Sequence, residues 1–268
     1  MRNEKPGAGF FHSALRTPHS ALVALCLALA ACTTTTQQIG SKTDLKEAAR
    51  LNTQLGIDYM RKGQYEFALE KLKRALDQDA DLATAHSSIA LLYQRRGETK
   101  LAEDHYREAL DLNKDDPGTL NNFGIFLCGQ GEIGDAEKVF LKAARNRANA
   151  SAADAWANAG VCVRRDPKKL ERAENYFREA LQLNPRHPNA LAQMAAVSYE
   201  RQEYLRSRAF LQRYESVAKA TPQTLWIGVQ TERKLGDLQS ARGYERRLTT
   251  EFPEAKETYE LLKRSGKR

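Results

Sequence analysis

The sequence predicts an all-α fold, a solenoid of about six helix-turn-helix repeats, on three observations. Small residues recur at a fixed period: Gly63, Gly97 and Gly131 lie 34 residues apart, and Ala68, Ala102, Ala136, Ala173, Ser207 and Ala241 follow at spacings of 34, 34, 37, 34 and 34. Pro117, Pro185, Pro188, Pro222 and Pro253 fall at the junctions between these units, and none breaks the apolar period of a helix. The roughly 225 residues left once a leader is discounted exceed what one compact all-helical core usually holds, which calls for an elongated body.

The elements follow in chain order, beginning with the first 32 residues, which decide the compartment. Arg2, Lys5 and Arg16 form a basic region, residues 21–30 an apolar one, and the stretch closes on Leu29-Ala30-Ala31-Cys32. That order is a secretory signal over residues 1–31. Its apolar run of about ten residues is half the length of a spanning helix. Leu29-Ala30-Ala31-Cys32 resembles the bacterial lipobox, whose cysteine receives a diacylglycerol before cleavage. By that resemblance Cys32 becomes an acylated, palmitate-bearing mature N-terminus; the alternative is a cysteine that happens to follow a plain signal peptide. Thr33 follows it, not the aspartate that retains many such proteins at the inner membrane, so the expected address is the periplasmic face of the outer membrane. Residues 32–48 read as the lipidated terminus and a polar tether. Losing residues 1–31 removes Arg2, Lys5, Arg16 and Glu4, so the formal charge falls from +8 to about +6. Basic charge in the periplasm is not for nucleic acid; it suits anionic lipid, an acidic partner or, more plainly, a solvated helical surface.

Residues 49–264 carry the repeats, with boundaries at 49–82, 83–116, 117–152, 153–187, 188–221 and 222–255 and a capping helix over 256–264. Around each anchor one pattern returns: Leu55-Gly56-Tyr59, Gly63, Ala68, Leu72, Ala75; Ile89-Ala90-Tyr93, Gly97, Ala102, Tyr106, Ala109; Phe123-Gly124-Leu127, Gly131, Ala136, Phe140, Ala143; and Trp156, Ala159-Gly160-Val163, Ala173, Phe177, Ala180. Small residues allow close helix contact, large ones fill the layer between units, and the turn glycine ends the first helix. The pattern resembles the tetratricopeptide repeat, which implies a right-handed superhelical solenoid. Units five and six depart from it: Ser198 and Glu232 replace the first-helix aromatic, and Glu245 replaces the large apolar residue of the second helix. Terminal repeats are often atypical because one face meets solvent.

Catalysis finds no footing. His12 and His19 leave with the signal, and His86, His105 and His187 have no second histidine or cysteine at ligand spacing, so no metal or other cofactor is expected. His86 reads as a packing residue at the position Trp156 holds in another unit. No phosphate loop, nucleophile elbow or CxxC motif occurs, and acidic residues such as Glu66 and Glu70 alternate with Lys71 and Lys73 on solvated faces. The chain is therefore expected to bind proteins and not to be an enzyme.

Two cysteines remain beyond Cys26 and Cys32. Cys128 and Cys162 sit near the ends of the first helices of adjacent repeats, helices that pack side by side. In an oxidising periplasm a structural disulfide is the expected reading, with two buried thiols as the alternative.

The segment Asn121-Asn122-Phe123-Gly124-Ile125-Phe126-Leu127-Cys128, then Gly131 and Ala136-Glu137-Lys138-Val139-Phe140, with Asn158-Ala159-Gly160-Val161-Cys162 after Trp156, resembles the pilotin lipoproteins of type IV pilus biogenesis. The resemblance spans lipobox, six repeats, cysteine pair and final helix; Phe123 stands in place of a tyrosine, and the loop 164–170 is charged and slightly extended. It implies a non-enzymatic scaffold that helps secretin subunits of the pilus pore reach the outer membrane and form their ring, hence pilus assembly and twitching motility. Its partners would be those secretin subunits and, through acyl chains, outer-membrane lipid. A groove lined by first-helix residues at the second, fifth, ninth and twelfth repeat positions would hold the secretin segment: Arg50, Thr53, Ile57 and Met60; Thr84, Ser87, Leu91 and Gln94; Asn121 and Ile125. A mixed apolar and hydroxyl lining suits an amphipathic or extended peptide, and the contact is expected in the N-terminal repeats, nearest the anchor. Since fold does not decide partner, the competing reading is a lipid-anchored scaffold of another envelope complex, such as outer-membrane β-barrel assembly.

Overall fold

A computed structural model of the chain describes residues 42–264. The signal segment 1–31, Cys32 and the tether up to residue 41 lie outside the described residues. The chain divides into two compact units between Leu45 and Lys46, and the repeats belong to the second. Every regular element among the described residues is helical. In chain order the helices are α1 (Lys42–Arg61) and α2 (Tyr65–Gln78), α3 (Ala83–Arg96) and α4 (Thr99–Leu112), α5 (Pro117–Gln130) and α6 (Ile133–Arg145). Then come α7 (Ala152–Val163) and α8 (Leu170–Leu183), α9 (Pro188–Glu200) and α10 (Tyr204–Glu215), α11 (Pro222–Leu235) and α12 (Leu238–Glu251), and a final α13 (Lys256–Arg264).

One boundary differs from the sequence expectation. Residues 42–48, assigned to the tether, are helical, because Asp44 through Ala48 hold helix formers with no glycine or proline and Asp44 sits in the first turn, where a negative charge suits the helix dipole. Their polarity imitates a linker, but only up to residue 41 does the sequence lack a reason to coil. The 37-residue spacing has local causes too: two of the three extra residues precede Gly160, which follows Gly124 by 36, and the third lies in the charged loop after α7, which holds a 3-10 turn, Pro167–Lys169, capped by the Asp166 carboxylate on the Lys168 amide.

Helix starts follow local chemistry. Pro117, Pro188 and Pro222 occupy the first turn, where their missing amide costs nothing. Before them Asp116 accepts from the Thr119 amide at 2.7 Å, His187 Nδ1 from the Ala190 amide at 3.2 Å, and Thr221 forms a reciprocal cap with Thr224. Turns inside the repeats use left-handed glycines at Gly63, Gly97, Gly131 and Gly236. The fifth repeat places Gln202 there, at φ 63°. A side chain in that conformation is strained by about 1 kcal/mol, so Gln202→Gly is expected to raise the unfolding free energy by up to about 1 kcal/mol. A urea midpoint no higher than that of the parent would refute the strain argument.

Packing explains the small-residue pattern. At Gly160 a Cβ would stand 2.5 Å from the Phe177 ring, so α7 and α8 approach as closely as they do only because nothing is there. Phe177 and Ala173 are fully buried beneath it. In the sixth repeat Gly228 lies against Tyr244, not against residue 245. The large residue read as lost to Glu245 is thus supplied one position earlier, and Glu245 turns outward to pair with Arg233 at 2.7 Å. The backbones of successive first helices come close to one another, α3 with α5, α5 with α7, α7 with α9 and α9 with α11, whereas successive second helices are bridged by long side chains, as by Arg206 to Glu174 and Arg247 to Glu215. First helices therefore form the inner wall of the repeat unit. Between repeats two and three the wall is filled by Tyr106, whose ring meets Phe123 and Phe126 at 5.5 and 5.6 Å.

The atypical C-terminal repeats replace aromatic packing by buried ion pairs. Glu232, at an aromatic position, is 3% exposed and is bound by Arg208 from α10. Glu174 receives Arg178, Arg201 and Arg206 at 2.7, 3.0 and 2.8 Å, which ties α8 to the next repeat. Burial pushes its carboxyl up, but the hydrogen bonds from Arg178 and Arg206 outweigh it and hold the group below the usual carboxylate range. Ser198, the other substitute, is fully buried with its hydroxyl unpartnered.

Candidate protein-binding site

The first-helix positions named from the sequence separate into two groups. Arg50, Thr84 and Ile125 are exposed, and Ile57, Ser87, Leu91, Gln94 and Asn121 are half-buried on the inner wall. Thr53 and Met60 do not line it. Both are 4% exposed: Thr53 donates its hydroxyl to the Ala49 carbonyl, and Met60 is part of the core with Leu72 and Ile89. Ser87 and Gln94 hold the same two positions on α3 and stay half-buried, so the difference comes from what packs against α1 and not from helix phase. Two inner-wall amides are already engaged: Gln94 accepts from the Tyr106 hydroxyl at 2.8 Å and Asn121 from Asn158 at 3.0 Å.

Cys128 and Cys162, near the C-terminal ends of α5 and α7, are joined in a disulfide with Cα atoms 5.8 Å apart. Arg165 donates to the Cys128 carbonyl beside it, adding a polar tie across the same repeat boundary.

The histidines are placed otherwise than sequence spacing suggests. His86 and His105 meet, Nδ1 to Nδ1, at 3.0 Å, although 19 residues apart, since α3 and α4 lie antiparallel. His86 Nε2 donates to the Ala80 carbonyl at 3.0 Å, so its Nδ1 accepts from His105. Burial, followed by the charge of His86, holds His105 below the ordinary imidazole range. Among the described residues no group of three or more His, Cys, Asp or Glu is placed to hold a metal. His187 is buried and pairs with Asp154 at 2.9 Å while capping α9, which is structural work.

Two surfaces stand out as able to hold a protein. The first is the N-terminal end of the repeat unit. Leu51 and Leu55 on α1 are 61% and 47% exposed. Their counterparts in the next five repeats, Ala85, Thr119, Ala155, Ala190 and Thr224 for the former and Ile89, Phe123, Ala159, Met194 and Gly228 for the latter, are all buried. There the second helix of the preceding repeat packs against the first helix of the next. Beside this stripe Tyr59 stacks on Phe67, itself 56% exposed. The other end is closed differently: α13 packs on α11 and α12, burying Thr258 and Leu261 and presenting charged residues outward. A repeat stack needs such a polar cap, and on the described residues only the C-terminal end has one.

The second surface is a cavity of about 700 Å³ on the inner wall of repeats four to six, within the range of ligand pockets. Ala192, Ala196 and Tyr199 of α9 and Trp226, Ile227 and Gln230 of α11 line it, with Arg164 and Glu257 at its borders. Carrying the same positional rule into repeats five and six selects Asn189, Ala192, Ala196 and Tyr199, then Gln223, Trp226, Gln230 and Arg233; all of these line the cavity except Arg233, which pairs with Glu245.

Comparison with known proteins fits this architecture. Tetratricopeptide repeat models match residues 47–115 and 127–188. The type IV pilus assembly protein PilF of Pseudomonas aeruginosa is 30% identical over 248 residues, which cover 91% of this chain and 98% of that protein. The solved structure of Pseudomonas aeruginosa PilF superposes with a TM-score of 0.76 at 28% identity, over 82% of this chain and 99% of that one. PilW, described as a widely conserved type IV pilus biogenesis factor, superposes with a TM-score of 0.72 at 27% identity, over 80% of this chain and 98% of its own. With repeats, chain length and helix packing in common, the chain belongs to the PilF family of tetratricopeptide-repeat proteins, which are protein-interaction scaffolds and not enzymes.

Proposed function

We propose that this protein is an envelope-associated pilotin. Anchored by lipid on Cys32 at the periplasmic face of the outer membrane, it binds secretin subunits of a type IV pilus and promotes their assembly into a ring. The family supports a role in pilus assembly, and Leu29-Ala30-Ala31-Cys32 supports the anchor. No described helix is long and apolar enough to cross a membrane, so among the described residues nothing else offers attachment by a span. Three acyl chains hold a protein firmly where one would not.

The observation that carries the partner-binding half is the open N-terminal end. Leu51 and Leu55 occupy places that a preceding helix covers in every later repeat, so an amphipathic helix of the client is the natural occupant. Covering two leucine side chains of this size contributes about 1.5–3 kcal/mol each when burial is complete.

The test is a strain with Leu51→Asp and Leu55→Asp together. A carboxylate is well solvated in the free protein but costs several kcal/mol under a docked helix. The expected result is a folded scaffold that fractionates with the outer membrane while heat-stable secretin multimers fall at least tenfold. Cys32→Ala should give the same shortage with the scaffold released from the membrane. Normal multimers after complete deletion of the protein would overturn the pilotin reading.

A further inference from the structure

We propose that His86 and His105 form an exchangeable site for a late first-row divalent metal ion such as zinc or copper, and that the bound ion clamps α3 to α4 in the second repeat. This goes beyond the pilotin reading and does not rest on it.

The two histidines are 19 residues apart, and the antiparallel packing of α3 on α4 brings them together. Their Nδ1 atoms are 3.0 Å apart and their ring centroids 5.1 Å, so each ring turns its Nδ1 edge toward the other. Two metal–nitrogen bonds of about 2.0–2.1 Å at a tetrahedral angle hold their nitrogens roughly 3.3 Å apart, so an opening of about 0.3 Å converts the hydrogen bond into a chelate. Both side chains are half-buried, which leaves the pair within reach of solvent ions.

The surroundings favour ligation. His86 Nε2 is tied to the Ala80 carbonyl at 3.0 Å, the outer hydrogen bond that fixes the tautomer of a metal-binding imidazole and keeps the lone pair on Nδ1. Tyr93 packs against His105 with centroids 5.7 Å apart, so neither ring has to be ordered when the ion arrives. In the free protein His105 carries the shared proton on Nδ1. On binding, Nδ1 gives that proton to water and Nε2, which has no hydrogen-bond partner among the described residues, takes one up. The ring stays neutral, no net proton is released, and both Nδ1 lone pairs meet at the metal. The charges that act on His105 help a dication: the Asp104 and Glu108 carboxylates of α4 stand against one cation, Lys73 of α2.

Ligand type selects the ion. Imidazole suits zinc, copper and nickel, whereas magnesium and calcium take oxygen. Two side chains make half of a tetrahedral shell, and among the described residues no third His, Cys, Asp or Glu completes it. Water fills the remaining positions, which makes the ion exchangeable and distinguishes the site from a closed structural one. Only the folded hairpin holds the two rings together, so the ion binds the folded chain and stabilises it.

The experiment titrates the full chain, purified in detergent without a histidine tag, with zinc and separately with copper(II). One ion should bind per chain, and saturating zinc should raise the urea midpoint and slow hydrogen exchange in α3 and α4. The paramagnetic resonance spectrum of the copper form should show coupling to two imidazole nitrogens. His105→Gln keeps a donor for His86 Nδ1 and should leave helical circular dichroism unchanged. It should weaken zinc at least about tenfold, since losing even an outer hydrogen-bond partner costs that much. His105→Cys, which supplies a thiolate, should recover much of the loss. His86→Gln with His105→Gln should abolish the zinc-dependent midpoint shift, and excess calcium should not displace zinc from the parent chain. Four results would overturn the proposal: no saturable uptake of either ion, zinc affinity unchanged in the double variant, a copper spectrum with fewer than two imidazole nitrogens, or displacement of zinc by calcium. Secretin does not enter the assay, so its outcome is independent of that of the secretin-multimer test.

Discussion

Phe177→Ala is expected to lower the unfolding free energy by about 3–5 kcal/mol, a large share of what holds a domain together. The ring is fully buried and fills the space between α7 and α8 that Gly160 leaves open. It also belongs to a cluster with Met194 and Val197 of the next repeat, so its removal opens a cavity at the joint between repeats four and five. In a linear stack stability is close to a sum of repeat and interface terms, and the loss should be local at first. Hydrogen exchange should quicken in α8, α9 and α10 well before the first three repeats change. The reciprocal variant, Gly160→Ala, sets a methyl against the same ring and should cost about 1–3 kcal/mol through overpacking. A uniform rise in exchange along the whole chain would show that the repeats unfold as one block instead.

Breaking the bridge between Cys128 and Cys162 is the second large effect. The two residues are 34 apart, and in the chain-entropy account closing a loop of that length removes on the order of 3–4 kcal/mol of freedom from the unfolded chain. Urea unfolding in dithiothreitol should therefore shift to a markedly lower midpoint than unfolding of the oxidised protein. Cys128→Ser with Cys162→Ser should reproduce the shift and be insensitive to reductant. Cys162 is 1% exposed and Cys128 6%, so reduction requires the joint to open and should be slow in the folded state. Equal midpoints with and without reductant, or recovery of two free thiols from the protein isolated from its native cells, would mean the bridge does not form in the cell.

These two sites show how far a single sequence carries the argument. Periodicity places Gly160 and Phe177 at points equivalent to Gly124 and Phe140, because close helix packing demands small residues at the same phase in every repeat, whereas Cys128 and Cys162 fall two residues out of that phase and meet because α5 and α7 pack side by side. The same logic reaches the cavity when the positional rule is continued to Ala192, Ala196, Tyr199, Trp226 and Gln230. It fails where phase is ambiguous by one residue: the 34-residue register points to Glu245, while the residue packed on Gly228 is Tyr244. Thr53 and Met60 looked like groove residues because a position number does not state what packs against it.

What the sequence by itself determined is whatever local chemistry and period encode: the all-helical repeat unit, its turns and caps, and the pairing partners of a solenoid whose contacts are nearly all between neighbours. Only the tertiary structure decided which apolar residues remain uncovered and which polar ones converge. Leu51 and Leu55 read like any other core leucines, and their exposure follows from having no helix before α1 among the described residues to cover them. His86 and His105 meet because α3 and α4 fold back on each other. The cavity exists because α9 and α11 stand side by side, with Arg164 and Glu257 beside them. Exposure and convergence are properties of neighbours in space, and a period in the chain names the positions without saying what stands beside them.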